Sequence, residues 1–140
     1  MAEATQGGAP AAPPAPKKRR KWKLILTLVL LAPFALLALY TWAALSYSYS
    51  KGERAGYLQK FSQKGWICKT WEGEIAMANL PGTMPQIFPF SVRNDSIAGL
   101  LNGLSGQRVN ITYEQHKGVP TSCFGETEYF AIGAKALPSP

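Results

Sequence analysis

The stretch ERAGYLQKFSQKGWICKTWEGEIAM, Glu53 to Met77, decides the fold of this 140-residue chain. Aromatic and β-branched residues are interspersed with polar ones over two runs, and Lys64-Gly65 interrupts them where a tight turn is expected. The pattern predicts a long β-hairpin. The interior glycines Gly56 and Gly73 indicate bends or bulges, such as a strongly coiled sheet requires.

Side chains alternate between the two faces of a strand, so each hairpin residue is assigned to a face. On the first strand, one face is predicted to hold Leu58, Lys60 and Ser62, and the other to hold Tyr57, Gln59 and Phe61. On the second strand, Cys68 is predicted to point away from a face that holds Ile67, Lys69, Trp71, Gly73, Ile75 and Met77.

The chain after the hairpin predicts three more strands and a helix. The third strand, Ile87 to Arg93, contains Pro89, which fits an edge position. Asp95 is predicted to be the N-cap of a short amphipathic helix. The apolar face of this helix holds Ile97, Leu100, Leu101 and Leu104. The fourth and fifth strands are predicted over Gln107 to His116 and Glu128 to Ala136.

This succession predicts a mostly-β domain over residues 46–136, followed by a frayed C-terminus at 137–140. Five strands with one short helix between strands 3 and 4 match the oligonucleotide/oligosaccharide-binding (OB) barrel. A small open β-sandwich or an unrelated α+β sheet would fit the same pattern.

Upstream of the hairpin, residues 24–45 are apolar and uncharged, which predicts a single transmembrane helix. A cleaved signal peptide is the alternative, but its apolar region is usually only about 7 to 15 residues long. The basic juxtamembrane cluster at 17–23 predicts a cytoplasmic N-terminus and an extracytoplasmic domain. Its topology determinants are Lys17, Lys18, Arg19, Arg20, Lys21 and Lys23. Residues 1–16, rich in Ala and Pro, are predicted to be a disordered cytoplasmic tail.

The two cysteines, Cys68 and Cys123, both lie in the predicted outer domain. In an oxidising compartment such a pair can form one structural disulfide. Two buried free thiols are the alternative.

No catalytic or metal-binding motif is present. The single histidine, His116, is expected to be solvated at a strand end, and no metal-ligand spacing accompanies it. Glu72 and Glu74, at period two, are expected to mark a solvated strand face, although such a pair could act as acid and base. The sequence therefore predicts no catalytic residues, no metal and no cofactor.

Cations and aromatic rings are interleaved along the hairpin, in the combination that OB barrels use to stack rings and pair with anions. The candidate binding residues are Arg54, Tyr57, Lys60, Lys64, Trp66, Lys69 and Trp71. A core role for the rings and a solubilising role for the cations is the alternative interpretation. Because six of the fifteen Lys and Arg residues precede the apolar segment, the net charge of +7 indicates topology, and nucleic acid is not expected as a partner.

The hairpin also carries a longer pattern of the type S-x-G-x-R-x-G-x-L-x-K-x-S-x-K-G, which runs from Ser50 to Gly65. In this respect the chain resembles a family of small single-pass bacterial membrane proteins, and the resemblance implies a bacterial envelope setting. Some proteins with this pattern carry the name 6-phosphogluconate dehydrogenase. That activity is not expected here, because the chain lacks a G-x-G-x-x-G after a strand and is too short for two domains.

The first functional hypothesis is a non-enzymatic protein of the bacterial inner membrane whose extracytoplasmic domain binds a protein or glycan partner. The alternatives are an envelope enzyme of the hydrolase class that uses a carboxylate pair together with His116, and a structural subunit of a membrane assembly. The sequence does not indicate an oligomeric state.

Overall fold

The computed structural model describes residues 7–14, 18–77 and 81–139, with the side chains of residues 18 and 19 left out. Lys17, half of the predicted tail (residues 1–6 and 15–16) and the last residue lie outside the described residues. The chain forms two compact units, residues 1–37 and 38–140, which divide within the first helix.

Helix α1, Lys18–Ser46, is 29 residues long, has Pro33 inside it and continues from the first unit into the second. In the described part of the chain, one helix is long and apolar enough to cross a membrane, and it covers Arg20–Ser46. A helix rises 1.5 Å per residue, so α1 is about 43 Å long, more than the roughly 30 Å of a bilayer core. Its first turns are basic, and its last turn contains no basic residue.

The second unit contains a five-stranded barrel. Its elements are β1 (Ser50–Lys64), β2 (Thr70–Met77), β3 (Gln86–Val92), α2 (Asp95–Asn102), β4 (Arg108–Gln115) and β5 (Tyr129–Ala136). The strands close in the order β1-β2-β3-β5-β4. The predicted apolar helix followed by a five-stranded sheet with one further helix is confirmed.

Strand β1 closes the barrel because it pairs with two neighbours in succession. Its first half, Ser50 to Tyr57, pairs with β4, and its second half, Tyr57 to Lys64, pairs with β2. On the far side, β3 and β5 run parallel and meet only at Ser91 and Phe130. Pro89 lies opposite Glu74 of β2 and outside the single pairing of β3 with β5, so its β5 side resembles the edge position that the sequence predicts.

The predicted faces of β1 are wrong beyond Leu58. The register shifts between Leu58 and Lys60, so Gln59 has no partner on β2 and forms a bulge. The extra residue inverts the alternation, and both Leu58 and Phe61 pack with the core. A single strand pattern cannot show this shift, because it depends on the partner strand.

Apolar side chains from every strand and from α2 fill the barrel. The largest fully buried ones are Phe90, Leu58, Ile75, Leu101, Ile111 and Val109. Gly73 of β2 is required at its position, since a Cβ there would overlap the ring of Phe90. The predicted N-cap of α2 is displaced by one residue: Asn94 is the cap, and its side chain accepts a hydrogen bond from the Ser96 N–H at 2.8 Å.

Candidate binding site at the disulfide-linked loops

A disulfide between Cys68 and Cys123 joins the β1–β2 loop, residues 65–69, to the β4–β5 loop, residues 116–128. The two Cα atoms are 4.9 Å apart, and 55 positions separate them in the chain. The β1–β2 loop turns at Gly65, whose φ of +128° is a conformation that side-chain-bearing residues rarely adopt. The bond fixes the two loops against each other at one end of the barrel.

Two clefts lie on either side of this disulfide. The Lys69 cleft has a volume of about 210 Å³ and is lined by Gln63, Lys69, Thr70, Trp71, Val92, Arg93, Asp95, Cys123 and Phe124. The Trp66 cleft has a volume of about 420 Å³ and is lined by Gly65, Trp66, Ile67, Cys68, Thr70, Ser122, Cys123 and Glu126. Because both clefts include Thr70 and Cys123, they are adjacent.

The Lys69 cleft combines cations with aromatic walls. Lys69 and Arg93 are exposed, and neither forms an ion pair with another described residue. The Trp71 ring is stacked on Phe61, with 5.3 Å between centroids and 5° between planes, so its position is fixed by the core. The Arg93 guanidinium lies 6.0 Å from the centroid of Phe124. Such a cleft offers an anionic group two charged donors and offers a planar ring an apolar wall.

The Trp66 cleft presents apolar surface. Trp66 and its neighbour Ile67 are fully exposed at the tip of the β1–β2 loop. At the edge of the cleft, Glu126 pairs with Lys64 at 3.7 Å across the two loops. An exposed indole is a large apolar surface that a partner can cover.

A buried carboxylate positions the β4–β5 loop. Glu72 of β2 is only 5% exposed, and its Oε1 accepts hydrogen bonds from the Thr70 hydroxyl at 2.7 Å and the Glu126 N–H at 3.0 Å. Its Oε2 accepts the Ser91 hydroxyl at 2.6 Å, and the Ser91 oxygen in turn accepts the Thr127 N–H at 3.1 Å. The expectation that Glu72 lies on a solvated face is therefore wrong. This carboxylate belongs to a closed hydrogen-bond network that holds the loop on the barrel.

The structure brings together only part of the predicted binding set. Lys64, Trp66, Lys69 and Trp71 lie at the linked loops. Arg54, by contrast, lies toward the other end of β1, where its guanidinium stacks over Phe88 at 4.8 Å. Ten residues of strand, about 33 Å if straight, separate positions 54 and 64.

Tyr57 and Lys60 lie between these positions, opposite Ala76 and Glu74 of β2. The seven residues do not lie together in one cleft, because β1 continues past the Met77 end of β2 and carries Arg54 to a position opposite β4. Sequence reasoning also missed Arg93 and Phe124. Phe124 follows Cys123 directly, so the disulfide was the signal that could have located it.

The residues considered for catalysis have separate surroundings. His116 is 4% exposed, and its Nδ1 lies 2.9 Å from the Tyr47 carbonyl oxygen, so the expectation of a solvated histidine is wrong. Glu72 has its own partners in β2, β3 and the β4–β5 loop. Among the described residues, no cluster of three or more His, Cys, Asp or Glu side chains could hold a metal ion.

Solved structures share this barrel. Two crystal forms of Rim1, a mitochondrial single-stranded DNA binding protein from S. cerevisiae, superpose with a TM-score of 0.51 each. The identities are 12% and 15%, the matches cover 67% and 65% of this chain, and they cover 99% and 98% of the Rim1 chains. Together with the strand order, the similarity shows an OB-like barrel. No curated protein sequence matches the chain.

One sequence-based expectation is overturned by this similarity. Nucleic acid was excluded as a partner on grounds of charge distribution and compartment, yet the structural neighbours of the barrel are single-stranded DNA binding proteins. The exclusion is therefore withdrawn. The fold does not by itself identify a ligand, since OB barrels take both oligonucleotides and oligosaccharides at their loops.

The sequence of the whole barrel matches a protein-family model. A family model described as a domain of unknown function (DUF8785) matches residues 47–137, which begin just after α1 and end just after β5. The chain therefore belongs to the DUF8785 family.

Proposed function

We propose that this protein is a non-enzymatic binding module anchored in the inner membrane of a bacterial envelope. In this proposal α1 spans the bilayer with its basic N-terminal end in the cytoplasm, and the barrel lies outside. The length of α1 and the one-sided placement of its cations support the orientation. The Cys68–Cys123 disulfide supports an oxidising, extracytoplasmic compartment.

The proposed binding site is the pair of clefts that flank this disulfide, and its partner is a protein or a glycan. The observation that carries the proposal is the position of the clefts, because they lie on the β1–β2 and β4–β5 loops where OB barrels bind their ligands. The exposed rings supply apolar contact area, and Lys69 and Arg93 supply unpaired charge. In this proposal Arg54 is a structural residue, stacked over Phe88 outside the site.

Site-specific photocrosslinking in intact membranes tests the proposal. A photoreactive residue in place of Ile67, at the fully exposed tip of the Trp66 cleft, should give a discrete adduct of the full-length protein. The matched control replaces Leu100, an exposed apolar residue of α2 that lines neither cleft. Digestion of the adduct with protease or glycosidase distinguishes the partner classes. Equal adducts at both positions, or none at Ile67, would contradict the assignment.

Single-stranded nucleic acid is a second candidate ligand. The observation that favours it is the fold shared with single-stranded DNA binding proteins, together with two unpaired cations beside an exposed indole. Binding of a labelled single-stranded oligonucleotide should weaken steeply with salt, by a slope of about −0.7 per neutralised phosphate. Trp66→Ala together with Lys69→Ala should abolish it, and Arg54→Ala, which changes a cation outside the clefts, serves as the control. Unchanged affinity in the double variant would refute this candidate.

A further inference from the structure

The last turns of α1 are bonded directly to the start of the β4–β5 loop. The Tyr40 hydroxyl donates a hydrogen bond to the Gly118 carbonyl oxygen at 2.9 Å. Further along the chain, the carbonyl oxygens of Ala44 and Tyr47 lie 3.2 Å and 2.9 Å from Nδ1 of His116, which begins the loop. All of these residues belong to the second compact unit. The start of the loop therefore has a fixed position along the end of α1.

The connection between α1 and β1 is short and hydrogen-bonded. The helix ends at Ser46, and the strand begins at Ser50. Between them, the Tyr47 N–H donates to the Ala43 carbonyl oxygen at 3.0 Å, and the Tyr49 N–H donates to that of Gln115 at 2.8 Å. The connection is thus held at both of its ends, one on the helix and one on the barrel.

The depth of Tyr40 follows from its place in the uncharged run at 24–45. A bilayer core of roughly 30 Å takes about 20 helical residues, so a span that starts at Leu24 leaves the core near Ala43. Tyr40 precedes Ala43 by three residues, about 5 Å along the helix axis. A tyrosine so close to the boundary keeps its ring in the apolar layer and its hydroxyl among the headgroups. The Gly118 carbonyl, which accepts from that hydroxyl, then lies at headgroup level.

The side chains around Gly118 suit this layer. Residues 117–120 are called the headgroup segment below. Lys117 is exposed, forms no ion pair with another described residue and lies 4.0 Å over the ring of Tyr49. The rings of Tyr49 and Trp42 are exposed as well, and amphipathic rings concentrate where a bilayer meets water.

The acidic groups nearby already have partners. Oε1 of Glu114 lies 2.6 Å from Nζ of Lys51, and Glu128 accepts a hydrogen bond from the Gln115 amide at 3.1 Å. The Lys117 ammonium is therefore left to pair with a phosphate, a group that every phospholipid headgroup carries.

We propose that the headgroup segment is a second interaction surface, which contacts the phospholipid headgroups of the bilayer that α1 crosses and is held at that depth by the Tyr40 hydroxyl. The inference rests on the membrane span proposed above and does not depend on the ligand of the clefts. Cys123, which lines both clefts, follows Gly118 by five residues, and these reach at most about 18 Å when extended. The clefts then lie close to the bilayer surface, so their partner must also be reachable there.

Nitroxide labels on the full chain in nanodiscs of phosphatidylcholine and phosphatidylglycerol test the depth. The two native cysteines are joined, so an introduced cysteine is the only free thiol. Collisions with oxygen, which concentrates in lipid, are compared with collisions with a water-soluble nickel chelate. The label at Pro120→Cys should fall between two references. Leu36→Cys should report the hydrocarbon core, and Ile67→Cys, at the fully exposed tip of the β1–β2 loop, should report water.

The references separate failure of this inference from failure of the span. If the Pro120 label is as accessible to nickel as the Ile67 label while the Leu36 label lies in lipid, the headgroup surface is refuted and the span stands. A Leu36 label in water would refute the span and the surface with it.

A second measurement needs no substitution. A gadolinium chelate carried on lipid headgroups should broaden the NMR signal of the Gly118 amide. It should leave the amide of Leu58, a fully buried residue of the barrel core, nearly unchanged. Equal broadening of the two signals, or none at Gly118, would overturn the proposal.

Two tyrosine variants test what holds the segment. Tyr40→Phe removes the hydroxyl that bonds Gly118, so the Pro120 label should become more accessible to nickel. Tyr47→Phe removes an exposed tyrosine's hydroxyl without a described hydrogen bond, and the label should keep its depth. The same depth in Tyr40→Phe as in the wild type, or an equal change in both variants, would contradict the role of Tyr40.

Discussion

Loss of the Cys68–Cys123 disulfide should lower the free energy of unfolding of the barrel by about 4 kcal/mol. The bond closes a loop with a sequence separation of 55 residues. In the chain-entropy model a loop of this length removes about 14 cal/mol/K from the unfolded ensemble, which is about 4 kcal/mol at 25 °C. Cys123 is exposed, so its replacement adds little cost from a cavity.

The assay is urea unfolding of the full chain in mild detergent, followed by the fluorescence of tryptophan. Trp71, stacked on Phe61 at the core, reports on barrel opening. The double variant Cys68→Ala/Cys123→Ala avoids a leftover thiol, and reduced wild-type protein should show the same loss. The urea slope m reports surface exposed on unfolding, and an increase would show that the variant's unfolded state has expanded.

A small effect would refute the reasoning. If the double variant loses less than about 1 kcal/mol, the unfolded chain already holds the two loops close together, and the loop-closure calculation does not apply. A loss well above 5 kcal/mol would exceed the range known for disulfides and indicate that the variant disrupts the native packing.

Three further predictions concern the carboxylates and the membrane topology. Glu72→Leu should cost about 3 kcal/mol or more, because it leaves the hydroxyls of Thr70 and Ser91 and the N–H of Glu126 without their acceptor. Glu74→Gln, on the same strand but without a described hydrogen bond, should change the urea midpoint little. Because the pKa of Glu114 is lowered, its ion pair with Lys51 stabilises the protein at pH values above the ordinary carboxyl pKa of 4.5, and this contribution is lost as the pH falls through the lowered pKa. Lys51→Met should therefore reduce the loss of stability that acid causes, measured as the free energy of unfolding against pH. A reporter enzyme that is active only outside the cytoplasm should be active when fused to the C-terminus, and activity of a cytoplasm-specific reporter there would contradict the proposed orientation.

Local patterns predicted the element types well. The uncharged run at 24–45 lies within α1, and β3, β4 and β5 lie within one residue of their predicted ends. The hairpin is less well predicted, because β1 begins three residues before Glu53 and β2 begins only at Thr70, so Ile67 and Lys69 lie in the loop and not on the predicted strand face. The alternation of Val109 and Ile111 predicted β4 because inward-facing residues repeat every second position along a strand. These features depend on neighbours close in sequence, which is why a single sequence can show them.

The candidate site was only partly predictable, because its parts come from distant segments. The hairpin pattern indicated Trp66, Lys69 and Trp71, which lie at the loops. It also included Arg54, which lies near the other end of β1, over the ring of Phe88. Arg93 precedes the cap of α2 and is brought to the cleft only by barrel closure. The residue pattern of the hairpin cannot predict that Arg93 lies at this cleft, because Arg93 is not part of the hairpin.

The sequence by itself determined an apolar helix, a long hairpin and the succession of short elements that a small barrel needs, since hydrophobic periodicity, turn residues and charge are local properties. The tertiary structure alone decided the bulge at Gln59, the buried network of Glu72 and the enclosed position of His116. Burying a polar side chain costs free energy unless it finds hydrogen-bond partners. For Glu72 and His116 these partners, such as Ser91, Glu126 and Tyr47, are far away in the sequence. Burial of a polar group is therefore decided by the whole fold, whereas burial of an apolar one is already indicated by its spacing.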